Sequence, residues 1–143
     1  MKKILAILAA IILIASCMPE SQNKHLTYQN IAIISDMSSR IRNMQFPQKD
    51  TKEIHNIVQY FKNECVKPGE KIGDKSSISF SAFSEKNITS IDLDKIKDLG
   101  DKQSFINSTG KYQLCGLTQK LEEFEDSIKI KYRTSSDFGL DLL

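Results

Sequence analysis

The chain lacks the motifs that mark the commoner enzyme chemistries. It has no Gly-x-Ser-x-Gly elbow, no glycine-rich loop that would cradle a phosphate, and no His-Glu-x-x-His pair to hold zinc. Histidine is scarce. His25 lies in a polar N-terminal stretch and His55 beside Ile54 on a helix flank, so neither has an acid-base partner visible in the sequence. None of the three cysteines sits in a Cys-x-x-Cys pair or among histidines, which argues against a metal or redox site. An excess of one charge is also missing, with 20 Lys and Arg against 18 Asp and Glu. A nucleic-acid binder would need a basic footprint that this balance does not supply. There is no internal repeat, no low-complexity tract and no second domain boundary.

What is present begins at the N-terminus. Lys2 and Lys3 precede an uninterrupted small and apolar run from Ile4 to Ala15, followed by Ser16 and Cys17. That is the order of an export signal: basic start, apolar middle, small residues at the cut. The run is shorter than the roughly 20 apolar residues that span a bilayer. Ile14-Ala15-Ser16-Cys17 resembles the lipobox of bacterial lipoproteins, in which an aliphatic residue and two small ones precede an obligatory cysteine. The resemblance implies that residues 1–16 are removed and that Cys17 takes a diacylglycerol on sulfur, often with a further acyl chain on the new amine. The protein would then be anchored to a membrane of the bacterial cell envelope. Each buried methylene adds about 0.8 kcal/mol, so two or three chains hold a protein on a membrane almost permanently. An ordinary secreted protein is the alternative.

Loss of Lys2 and Lys3 would leave 18 basic against 18 acidic side chains, a neutral mature body. Residues 17–29 are mostly polar and without periodicity, as befits a lipidated N-terminus and tether of a few nanometres at most. With Cys17 lipidated, Cys65 and Cys115 stand in an oxidising compartment where a disulfide is allowed. Cys65 falls in helical phase with the apolar residues before it, which favours a buried thiol.

The body starts with Asn30-Ile-Ala-Ile-Ile-Ser35, an aliphatic run too short for a helix and suited to a central strand covered on both faces. From Asp50 to Cys65, the residues Ile54, Ile57, Val58, Phe61 and Cys65 recur at helical spacing, and Asp50 with Glu53 could form a capping box. Pro68-Gly69 stops that helix. Ser77 to Ser84 alternates, with Ile78, Phe80 and Ala82 on one side, and reads as a second strand beside the first and nearer an edge. Ile88 to Leu93 is a short extended piece, Lys95 to Ile106 a weak helix interrupted by Gly100, and Leu117 to Ile130 a better one. Strands alternating with helices predict an α/β layer architecture over residues 30–143.

Asp36-Met37-Ser38-Ser39-Arg40 follows the first strand directly, where open α/β sheets place their ligands. A carboxylate and a hydroxyl two residues apart can point at one hard cation, because Mg²⁺ takes oxygen ligands. Here the chain resembles the von Willebrand factor A domain, whose first strand typically ends in an Asp-x-Ser-x-Ser loop that begins a metal-ion-dependent adhesion site. The resemblance implies an open, doubly wound, mainly parallel sheet flanked by helices. It also implies a Mg²⁺ or Mn²⁺ ion that captures a carboxylate of a protein ligand. Asp36 matches the aspartate and Ser38 the first serine, while Arg40 stands where the second serine belongs. A guanidinium cannot coordinate a cation, and its fixed charge competes with one. The segment from Tyr132 to Leu140 resembles the family's second loop without its glycines, with Ser136 as the hydroxyl ligand and Asp137 after it. Asp36 and Ser38 are also residues that turns and helix caps favour on local hydrogen-bonding grounds.

A doubly wound A domain would normally continue past Leu143 into another strand, so the chain reads as a domain incomplete at its C-terminus. The function that follows is a membrane-anchored, non-enzymatic binding module using Asp36, Ser38, Ser39 and Arg40. An envelope hydrolase on another α/β fold, with the same loop as its active site, is the alternative. A truncated remnant that keeps only its lipid anchor is a second one.

Overall fold

The computed structural model describes residues 28–37, 45–82 and 85–134. In chain order these form strand β1 (Asn30–Ser35), helix α1 (Gln45–Tyr60) running into a π-helical turn (Phe61–Val66), and strands β2 (Ser77–Ala82) and β3 (Glu85–Asp92). A short 3₁₀ turn (Leu93–Lys95) leads to helix α2 (Leu99–Ile106), and a second (Gly110–Tyr112) to helix α3 (Leu117–Thr134). The expected α/β class holds, with a small mixed sheet.

β2 is the middle strand of that sheet. It pairs in parallel with β1, Ile31 beside Ile78 and Ile33 beside Phe80, and antiparallel with β3, Ile78 beside Ile91. The expected neighbourhood of β1 and β2 is found, but β1 is an edge strand of the described sheet and not its centre. Its two faces also differ. Ile31 and Ile33 turn toward the core, whereas Ala32 is exposed and Ile34 keeps 65% of its surface. β3 is a full strand, longer than the extended piece expected there.

The core lies between one face of the sheet and the helices. Ile78, Phe80, Ala82 and Ile91 meet Ile54, Val58, Phe61 and Cys65 of α1 and its π turn, and Leu117, Leu121, Phe124 and Ile128 of α3. Each large side chain buried there contributes about 1.5–3 kcal/mol. The π turn closes where the Lys67 N–H donates to the Lys62 carbonyl at 3.0 Å, and Lys67 takes φ 51°, so the chain leaves α1 before Pro68-Gly69. α2 is capped by Asp98, whose carboxylate accepts from the Asp101 N–H at 2.7 Å. It carries a buried lysine, Lys102, whose ammonium lies 3.9 Å from the Asp74 carboxylate. Cys65 is buried and Cys115 exposed, and both thiols are free. Among the described residues no helix is long and apolar enough to cross a membrane.

Candidate functional site

β1 delivers Ser35 and Asp36 to its C-terminal end, where the first turns of α1 and the last turn of α3 converge on them. Ser35 is buried, and its hydroxyl lies 2.7 Å from that of Tyr132. The Tyr132 hydroxyl donates to Asp50 Oδ2 at 3.2 Å. Either hydroxyl can donate in the Ser35–Tyr132 bond, and that of Tyr132 also reaches the carboxylate. The three residues tie β1, α1 and α3 together across sequence separations of 97 and 82 residues.

Over this hydroxyl pair opens a cleft of about 340 Å³. Ile33, Ile54 and Ile57 form its apolar wall, and the carboxylates of Asp36, Asp50 and Glu53 line it from β1 and α1. Asp36 is exposed. Asp36 and Asp50 have interactions of their own, and an apolar wall with such carboxylates around it suits a cationic group on a hydrocarbon stem that joins or displaces those partners.

Asp36 was legible from sequence; its companions were not. α1 begins at Gln45, so Asp50 is inside the helix and does not cap it, contrary to the capping box expected with Glu53. Pro47 fits the first turn, where its missing N–H has no intrahelical role. Tyr132, Arg133 and Thr134 belong to α3, so the loop expected from Tyr132 onward starts within a helix. The i, i+4 run Leu117, Leu121, Phe124, Ile128 continues to Tyr132, and that was the signal for its inward direction. His55 does have a partner: its Nδ1 lies 2.9 and 3.1 Å from the two carboxylate oxygens of Glu125, linking α1 to α3 on the surface.

Cys17, Ser38, Ser39, Arg40 and Ser136 lie outside the described residues. Of the oxygen donors that the adhesion-site resemblance implies, the described residues contribute Asp36 alone, and Mg²⁺ takes six. Among the described residues no group of three or more His, Cys, Asp or Glu is placed to hold a metal ion. Those residues do not by themselves make a metal site.

Comparison of the chain with protein-family models, with curated proteins and with solved structures gives no match. The reading of the cleft rests on its own chemistry.

Proposed function

We propose that the protein is a membrane-anchored lipoprotein of the bacterial cell envelope whose body is a non-enzymatic binding module, working through the cleft at the C-terminal end of β1. The observation that carries this is the lining of one cleft by Asp36, Asp50 and Glu53 beside an isoleucine wall. The ligand class it suits is a protein segment presenting lysine or arginine. A Mg²⁺ or Mn²⁺ ion held by Asp36, Ser38 and Ser136 is what the von Willebrand A resemblance implies. Arg40 weighs against it, since one formal negative charge offset by a guanidinium leaves little to draw water off a divalent ion.

A peptide array of lysine- and arginine-bearing sequences, probed with the unaltered protein and with Asp36→Asn/Asp50→Asn, tests the reading. Binding to basic spots should be lost in the double variant. Calorimetry with Mg²⁺ and Mn²⁺ should show weak binding that Arg40→Ser strengthens. Tight metal binding by the unaltered chain, with no basic-peptide signal, would replace the cationic ligand by the metal.

A second reading is kept by one observation: the hydroxyl of Ser35 is bonded to Tyr132 and, through it, to Asp50, which is a geometry that can polarise a nucleophile. Burial of Ser35 speaks against attack on a substrate. Labelling by a fluorophosphonate probe that disappears in Ser35→Ala would establish the hydrolase instead.

A further inference from the structure

The backbone of β1 faces two ways, and only one of them is used within the described sheet. The Gln29 carbonyl accepts from the Ser77 N–H at 3.1 Å, so the peptide groups of Gln29 are turned toward β2. In a parallel ladder every second residue does the same, which assigns Ile31, Ile33 and Ser35 to that side. The N–H and C=O groups of Asn30, Ala32 and Ile34 therefore point away from β2, along an edge that is unpaired among the described residues. The strand reads Asn-Ile-Ala-Ile-Ile-Ser, without the proline, charge or bulge that usually blunts such an edge.

The cleft opens onto this edge. Ile33 and Ile34 point to opposite faces of the sheet, yet both line it. Its other side is a stripe of α1 at helical spacing, Asp50, Glu53, Ile54 and Ile57. The helix continues to Tyr60, half exposed, whose hydroxyl donates to Gln29 Oε1 at 3.5 Å at the start of β1. The groove between β1 and α1 thus runs from an aromatic end at Tyr60 to an acidic end at Asp36, Asp50 and Glu53.

We infer that the ligand of the cleft docks as a β-strand, an extended segment of a partner protein that adds to the sheet beside β1 and sets a lysine or arginine against the acidic end. The inference rests on the cationic-ligand reading above and adds the ligand's conformation and its place. A strand added about 4.8 Å from β1 meets the outward groups of Asn30, Ala32 and Ile34, and every second side chain turns toward Ile57 and Tyr60. Main-chain bonds then hold the segment, while the apolar stripe and the carboxylates select its sequence. Its cation joins or displaces the interactions that Asp36 and Asp50 already have. The β1 strand of a second copy fits less well, because it carries no basic residue.

The probe is the fluorescently labelled peptide Lys-Val-Thr-Val-Thr-Val-Thr-Lys, whose two lysines place one at the acidic end in either strand direction. Its binding to the full chain is followed by anisotropy. Ala32→Pro removes an N–H that faces away from β2, so β1 keeps its bonds to β2 while the docked strand loses one. It should weaken binding about tenfold, as should replacing both lysines of the peptide by glutamate. In the unaltered protein the amides of Asn30, Ala32 and Ile34 should exchange more slowly when peptide is added, a readout that stands even where Ala32→Pro does not fold.

Binding that is lost in Asp36→Asn/Asp50→Asn, but kept in folded Ala32→Pro with no slowing of those amides, overturns the docked strand and leaves the cationic reading standing. Equal binding of the glutamate peptide sinks the cationic end, and no binding of either peptide sinks both. A dimer in sedimentation that Ala32→Pro dissolves gives the edge to a second copy and overturns the proposal.

Discussion

Two glycines in the same turn-rich segment show how differently one residue type can be constrained. Gly73 has φ +74°, and a Cβ there would fall 1.8 Å from the Cys65 carbonyl oxygen. That oxygen belongs to the backbone of the π turn, so the clash is relieved only by shifting the end of α1 or the start of β2. Gly69 has φ +89° with nothing near its Cβ position. Gly69→Ala should therefore cost about 1 kcal/mol, the left-handed backbone penalty alone. Gly73→Ala should cost more than about 4 kcal/mol, the range reserved for disrupted cores and severe strain. Urea melts of the two variants check this, and comparable midpoints would show that the segment gives way easily.

The cysteines make a second contrast at the same scale. Burial, with a smaller contribution from the Glu64 carboxylate, pushes the Cys65 thiol up from its ordinary value. The fold holds the neutral thiol, so this group's contribution is fully present below the unfolded thiol's pKa. It is lost as pH rises above that value toward the folded one, because the unfolded chain then binds fewer protons. Iodoacetamide at neutral pH should modify Cys115 quickly and Cys65 only on unfolding, as read by peptide mass spectrometry. Equal rates would mean that the π turn opens readily.

At the scale of elements, α2 is the helix with the least apolar burial, contributing Ile106 and the partly buried Phe105 to the core. Its attachment relies on polar groups. Removing Asp74 leaves the buried ammonium of Lys102 without its facing carboxylate, whereas Lys102→Met removes the charge and keeps the hydrocarbon stem. Fully buried pairs lose about 3–5 kcal/mol when one partner is deleted. With Asp74 20% exposed at 3.9 Å, Asp74→Ala should cost about 1–3 kcal/mol, and Lys102→Met should be close to neutral. Thermal melts decide it, and a Lys102→Met variant less stable than Asp74→Ala would make the ammonium itself indispensable.

The elements also show what patterning conveys and where it stops. The helical spacing of Ile54, Val58, Phe61 and Cys65, and the alternation of Ile78, Phe80 and Ala82, identified α1 and β2 because each buries one face. The aliphatic run of β1 misled about position, since Ala32 and Ile34 are apolar yet exposed, and composition cannot tell a covered face from an open one. β3 escaped full notice because Asn87, Ser90 and Asp92 dilute its apolar residues. In the cleft, Asp36 was visible as a strand-end carboxylate. Asp50 and Tyr132 were not, because their bond joins residues 82 apart and each had a plausible local role, one as a cap and the other as a loop.

For the molecule as a whole, the anchor and the cleft are separable, and that sets the order in which the proposed function is tested. If the leader is removed as proposed, the remaining body is neutral, and electrostatic attraction to an anionic leaflet is weak, about 1 kcal/mol for each lysine near it. On the proposed reading, membrane residence comes from the acyl chains at Cys17. The remaining thiols cannot substitute: Cys65 and Cys115 lie far beyond the apolar leader, and Cys65 is buried. Cys17→Ala is therefore expected to abolish fatty-acid incorporation and to release the protein from the membrane fraction, with the folded body and its cleft unaltered. Metabolic labelling with a clickable fatty acid, followed by fractionation, reads both effects. Undiminished label in the variant would place the lipid elsewhere, and label lost with membrane residence kept would mean that the uncleaved leader or the body itself binds.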